Sequence, residues 1–362
     1  MSQVRNLFAG GNTTQGFVSF FHEIMGEDAK RRFILKGGPG TGKSTFMNKI
    51  AVEIGSYGYD LEKFYCSSDV TSLDGIAIPA LKVAIVDGTA PHIIEPDYPG
   101  CVDEIINLGN YWDAEQITKE KNDIIELTKQ NKACYTRVYH YLKAAKELYE
   151  DTSEINRSCV DLTGLNQVFK NLINEVFMDQ RRNNRVGKMR HLFASAITPQ
   201  GLVNELPSIM KNFERQIIIK GEPGGGRQLL VEKIADYAVQ QGFDLEAYYC
   251  PITPDKIEHI GIPDLNLAVI SSHPPHIYQV DNAETIDLND YLNRSKRWEY
   301  QYILHKNFVL FDELLDLAVK QLRQARSIYV SLEQKYIEHM DFIKVEQLIK
   351  DVTAKILLFA VD

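Results

Sequence analysis

The sequence predicts an α/β protein built as a tandem pair of parallel-sheet units, each with a helical hairpin or bundle extension. Two observations predict it. The first is an internal repeat. "RNLFAGGNTTQGFV" from Arg5 returns as "RHLFASAITPQGLV" from Arg190. "RRFILKGGPGTGKSTFMNKIA" returns as "RQIIIKGEPGGGRQLLVEKIA", "GYDLEKFYC" as "GFDLEAYYC", and "DEIINLGNY" as "AETIDLNDY". The copies span 1–188 and 189–362, tails included. The second observation is the order of local signals inside each copy, where apolar strands alternate with a glycine loop and a helix.

Each element has its own reason. "RRFILK" and "RQIIIK" are strands that run into the glycine loops. The helix after the first loop carries Phe46, Ile50 and Ile54 at helical spacing, and Gly58 and Gly242 end the two helices as C-caps. "LEKFYC" and "LEAYYC" form second strands. "KVAIV" and "NLAVI" are almost wholly apolar, as a strand buried on both faces must be. In the tails, Cys134, Val138, Tyr141, Ala145, Leu148, Thr152 and Ile155 step by four and three. So do Leu315, Ala318, Leu322, Ala325, Tyr329, Leu332 and Tyr336. Such stripes predict packed helices that serve as scaffold.

Bulk properties narrow the function. Lys and Arg number 40 against 49 Asp and Glu, a net charge of −9 that argues against a broad nucleic-acid surface. No apolar run approaches the ~20 residues of a membrane span, and the N-terminus lacks a signal pattern. Cys66, Cys101, Cys134, Cys159 and Cys250 are scattered without a CxxC pair, so free thiols in a reducing cytoplasm are expected and a zinc site is not.

The chemistry lies in "GGPGTGKST". Gly37, Gly38, Pro39, Gly40, Thr41, Gly42, Lys43 and Ser44 fit G-x-x-x-x-G-K-[ST], with Thr45 following, between a strand and a helix. The glycines let backbone N–H groups turn toward phosphate oxygens at a helix N-terminus. Lys43 reaches the outer phosphates, and the Ser44 hydroxyl ligates Mg²⁺. Here the chain resembles the P-loop NTPases. Over both copies it is similar to a family of duplicated bacterial ATP-binding proteins. The resemblance implies ATP and Mg²⁺ as cofactors and an acidic metal partner at the end of an apolar strand. Asp87 in "KVAIVDGT" is the matching position.

The copies also serve as controls for each other. In the second, Lys43 is replaced by Arg227, Ser44 by Gln228, Thr45 by Leu229 and Asp87 by Ser271. Asp69 is lost to Thr253, whereas Asp74 stays acidic as Glu258. Asp69 is therefore the better candidate for substrate binding or a general base. His92 and His276 recur in "PHI" and are expected to be structural, as are Cys66 and Cys250. Three roles compete for "KGEPGGGRQ": a structural relic, a metal-free anion nest, or an arginine finger through Arg227. The relic is favoured, with little stability lost on removing Arg227. The run Arg181, Arg182, Arg185, Lys188, Arg190 is expected to be a solvated linker, with an anion-contacting segment as the alternative.

Three function classes follow. The first is an ATPase with one active site in the first copy. The loop resembles those of AAA-type ATPases, many of which place a Glu after the strand-terminal Asp. Here Gly88 stands there, and Asp69, Asp103 or Glu104 would have to substitute. The second is a small-molecule or nucleotide kinase with an unknown acceptor, Asp69 accepting its proton. The third is a nucleotide-controlled scaffold whose second copy faces a protein partner. Adenine is favoured because no N/T-K-x-D guanine-reading motif appears.

Overall fold

A computed structural model describes residues 2–26, 28–178, 180, 184–274, 276–281 and 283–360. The first copy comprises β1 (Val4–Leu7), β2 (Gly10–Thr13), β3 (Gly16–Ser19), β4 (Arg31–Lys36), α1 (Lys43–Ser56), β5 (Leu61–Cys66), β6 (Asp69–Ile78), β7 (Val83–Asp87), β8 (Asp103–Asn107), α2 (Ala114–Lys119), α3 (Lys121–Ser158) and α4 (Leu162–Phe177). The second comprises β9 (Met189–Phe193), β10 (Ser195–Thr198), β11 (Gly201–Asn204), α5 (Leu206–Met210), β12 (Arg215–Lys220), α6 (Arg227–Gln240), β13 (Leu245–Tyr249), β14 (Ile257–Ile262), β15 (Leu267–Ser272), β16 (Glu284–Asp287), α7 (Arg294–Trp298), α8 (Gln301–Ile337) and α9 (Phe342–Leu358).

The two large sheets have the same strand order, β1-β5-β6-β7-β4-β8 and β9-β13-β14-β15-β12-β16. They are mixed rather than wholly parallel. β6 and β14 run antiparallel to both neighbours, and the other pairings are parallel. The reason is chain length. Only Ser67 and Ser68 separate β5 from β6, and a parallel connection needs a crossover of a dozen or more residues. Gly58 and Gly242 cap their helices at φ 91° and 88°, a left-handed geometry that glycine accepts without a Cβ clash.

A third sheet, β3-β2-β10-β11, draws on both copies. β2 pairs with β10 at Asn12 and Ile197, and Phe8 and Phe193 exchange both backbone bonds, at 3.1 and 3.0 Å. Equivalent residues thus meet each other, as at the interface of a twofold dimer. Beside it lies a four-membered ion cluster with the same symmetry. Arg5 reaches Glu62 at 3.0 Å and Glu246 at 2.5 Å, while Arg190 reaches Glu62 at 2.7 Å and Glu246 at 3.3 Å. Arg190 is therefore an interface residue, not part of a solvated linker. Arg185 forms an exposed ion pair with Asp244, and Arg181 and Arg182 lie outside the described residues.

Burial alone would raise the Glu246 carboxyl, but Arg5, Arg190 and the Tyr248 hydroxyl hold it down at about 2. Its folded value is below its unfolded one, so the stabilisation is full above about pH 4.5 and is lost as pH falls toward 2. We expect urea midpoints to drop between pH 5 and 3 by an amount worth roughly 1.5–2 kcal/mol, less in Glu246→Gln. An acid slope unchanged in the variant would remove the cluster as its source.

The tails cross between copies. α3 and α8 lie antiparallel along their whole length, with Lys335 on Glu120, Asn131 on the Ala325 carbonyl, and Asn307 on Asp151. At about 1.5 Å per residue each is about 55 Å long. Neither contains Gly or Pro, so nothing turns the chain back toward its own sheet. α4 consequently packs on the second copy, where Leu165, Val168 and Leu172 join Leu230, Val231 and Ile234 in one core. α9 packs on the first, where Val345, Ile349 and Val352 join Phe46, Met47 and Ile50. Each spatial half is built from one copy's sheet and the other copy's last helix.

The buried positions of α3 are Cys134, Val138, Leu142, Ala145, Tyr149, Ser153 and Asn156. The expected stripe through Tyr141, Leu148, Thr152 and Ile155 is one residue off, and those four are half-buried. The observed period is close to 3.67 residues per turn rather than the 3.5 of a supercoiled seam. No helix among the described residues is long and apolar enough to cross a membrane.

Candidate functional site

The first glycine loop joins the end of β4 to α1. Gly42 precedes the helix at φ 88°, and Thr41 Oγ1 donates to the Gly38 carbonyl at 2.9 Å. Lys43 folds back over the loop. Its ammonium donates to the carbonyls of Gly37 at 2.9 Å and Gly38 at 3.0 Å and lies 3.7 Å from Asp87 Oδ2. Asp87 ends β7, the strand beside β4, and its other oxygen accepts from the Thr89 amide at 2.9 Å and hydroxyl at 2.6 Å. Ser44 Oγ accepts from the Leu73 amide at 2.9 Å. The Lys43 ammonium and the Asp87 carboxylate therefore meet at the loop end of β4 and β7, and the Ser44 hydroxyl lies against the Leu73 amide of β6. A hydroxyl and a carboxylate oxygen are hard donors of the kind Mg²⁺ takes.

Asp74 is the residue the repeat comparison undervalued. The register that sets Gly75 against Val86 brings it beside Asp87. It is buried, and burial followed by the Asp87 charge pushes it up to about 8, against the pull of Cys66 and Lys43. The signal lies in β6 itself: the sequence reading places no strand at "DGIAI", so it assigns Asp74 no face. His92 closes the group. An atom each of Asp74, Asp87 and His92 lie within 4.8 Å of one another. Burial holds the His92 imidazole down at about 4, hence neutral at pH 7.

Asp69 faces a different partner. Its carboxylate accepts from the Thr71 amide (3.1 Å) and hydroxyl (2.7 Å) and from Ser72 Oγ (2.8 Å), and pairs with Arg326 at 2.6 Å. Burial would raise it, but these partners hold it below its usual value. Such a carboxylate is a poor proton acceptor. Asp103 and Glu104 begin β8, at the opposite end of the sheet from the loop, and pair with Arg32 and Lys355. Gly88 has no room for a glutamate, because a Cβ there would meet Ile34 Cγ2 at 2.5 Å.

The roof of the site comes from the other copy. Arg326, Tyr329, Glu333 and Tyr336 of α8 stand over the first loop. Arg326 also pairs with Glu333 at 2.9 Å, and the phenol of Tyr329 is raised by burial and by the charges of Glu333, Asp87 and Asp74. At Gly40, φ 69°, a Cβ would come 2.5 Å from the Glu333 carbonyl oxygen, so only glycine fits beneath the helix. Arg326 and Tyr329 were not legible as site residues, because the crossing of the tails carries them there from nearly 300 positions downstream of the loop.

The second loop holds a guest of its own. Arg227 is 2% exposed and donates to Glu258 at 2.9 Å and to Ser271. Gln228 Nε2 donates to Thr253 and Glu258, both at 2.8 Å. Burial would raise Glu258, but Arg227 first and then His273 hold it well below the usual carboxylate range. The guanidinium fills the place where the first loop keeps its lysine and acids. A search against known proteins found that the chain matches no family model, no curated protein and no solved structure.

Proposed function

We propose that the protein is a Mg²⁺-dependent ATP-binding protein, an ATPase with one active site at the first loop. One observation carries this reading: Lys43, Ser44 and Asp87 converge at the first loop, while Arg227, Glu258 and Ser271 close the second on itself. The loop amides and Lys43 would bind the phosphates. Ser44 and Asp87 would hold the Mg²⁺, which neutralises phosphate charge when bound. Two features favour hydrolysis coupled to movement over transfer to an acceptor. Asp69, the base a kinase would need, is tied to Arg326. The helix pair that roofs the first loop also runs to the second, so a shift at one loop has a rigid path to the other. Calorimetry of the full chain with Mg·ATP tests the reading. We expect a single site per chain, lost when Asp87→Asn weakens the metal. Two equivalent Mg-dependent sites would overturn it.

A further inference from the structure

His92 lacks partners that its counterpart keeps. In the second copy His276 is buried, with Nδ1 3.4 Å from Ser195 Oγ and Nε2 3.4 Å from Cys250 Sγ. The position of Ser195 is Gly10 in the first copy, so the hydroxyl is gone. Its room is taken by rings: a Cβ at Gly10 would meet Phe17 at 2.7 Å and Phe21 at 2.9 Å. The Phe21 ring stacks on the His92 imidazole at 4.1 Å between centroids and fixes its plane. His92 is 6% exposed, and neither ring nitrogen has a hydrogen-bond partner. Leaving a buried polar group unmet is costly, and such exceptions ask for a missing ligand.

The neighbours of His92 indicate which ligand. Its ring and the carboxylates of Asp74 and Asp87 each offer a donor atom, all within 4.8 Å of one another. Donors bound at about 2.1 Å to one octahedral ion lie about 3–4.2 Å apart, so small side-chain movements close the three round a cation. Mg²⁺ takes oxygen ligands, whereas imidazole with carboxylate suits first-row transition ions. We propose that Asp74, Asp87 and His92 form a site for a first-row divalent transition cation, Mn²⁺ being the probe. The inference goes beyond the nucleotide reading, on which its part in turnover rests: Asp87 is common to this site and to the Mg²⁺ position proposed above, whereas Asp74 and His92 are not. Lys43 competes for Asp87 at 3.7 Å until a phosphate draws the ammonium away.

Paramagnetic resonance of the full chain with Mn²⁺, without nucleotide, tests this directly. The affinity comes from loss of the free-ion signal, and spin-echo modulation reports a bonded nitrogen. We expect a single Mn²⁺ bound at least ~10-fold more tightly than Mg²⁺, with nitrogen coupling that His92→Phe abolishes while keeping a ring stacked on Phe21. Lys43→Ala should bind Mn²⁺ more tightly while losing ATP. Mn²⁺ bound without nitrogen coupling in the unaltered chain, or held equally well by His92→Phe, overturns the proposal. The spin-echo measurement needs no variant, so a misfolded His92→Phe leaves the question decidable. Nitrogen-bound Mn²⁺ without ATP binding would sink the nucleotide reading alone. ATP binding without nitrogen-bound Mn²⁺ would sink the metal site alone.

Discussion

Lys43→Ala is expected to lower ATP turnover at least ~100-fold and to weaken ATP binding by about 1.5–3 kcal/mol, the worth of one hydrogen bond to a charged group. The lysine is the only cation in contact with the loop carbonyls among the described residues, and Asp87 already orients it toward the site. The fold should survive the change. Removing the ammonium leaves Asp74 beside Asp87, two buried carboxyls that cannot both stay charged cheaply. Burial and the Asp87 charge push the Asp74 carboxyl up to about 8 even with Lys43 present, so it carries little charge at pH 7. Urea unfolding of the variant should therefore differ little from that of the parent. Turnover within threefold of the parent, at equal folded fraction, would show that the loop does not handle phosphate.

The repeat and the glycine loop were legible because both are local. Periodicity places Phe46 and Ile50 on a buried face, and a motif of eight consecutive residues needs no tertiary knowledge. β6 was not legible in that way. Its residues Thr71, Ser72 and Asp74 interrupt the apolar alternation: Thr71 and Ser72 bond Asp69, and Asp74 lies beside Asp87. Without that strand nothing in the sequence places Asp74 beside Asp87. The repeat comparison also assumed that a residue's neighbours come from its own copy. For the strands of the two large sheets this holds, but for β2 and β10, which pair across the copies, and for α3 and α8 it fails, since helices ~55 Å long deliver their ends to the opposite unit. Tyr149 beside the second loop and Tyr329 above the first are equivalent residues exchanged in this way. His92 shows a subtler limit. Its recurrence in both copies suggested a structural role, yet its partners do not recur, and a shared residue in an unshared environment carries different chemistry.

Arg227→Met is expected to destabilise the chain by about 3–5 kcal/mol, the scale for removing one member of a buried ion pair. The sequence alone suggested a modest cost, because a relic loop has nothing to lose. The structure changes that argument. Arg227 and Glu258 are both nearly inaccessible, with side chains 2% and 1% exposed. Without the guanidinium, Glu258 keeps the Gln228 hydrogen bond and a 3.4 Å approach from His273 among the described residues. Methionine preserves the stem that packs in the loop but not the charge, so the loss reports the stranded carboxylate rather than a cavity. Adding Glu258→Gln should therefore restore most of the stability, since neutral pairs in a buried site cost far less than one unpaired charge. ATP turnover should stay within threefold wherever the variant is folded. Arg227 donates to Glu258 and Ser271 of the second copy, and among the described residues none of its hydrogen bonds runs toward the first loop. An arginine acting on the transition state would instead forfeit about 10³–10⁵ in rate. Urea unfolding of the single and double variants, with turnover measured at 25 °C, separates the two roles. A stability loss below ~1 kcal/mol with a rate loss of that order would mean that the second loop was retained for catalysis. The expected result would mean that Arg227 holds the second loop as part of the core, through Glu258 and Ser271.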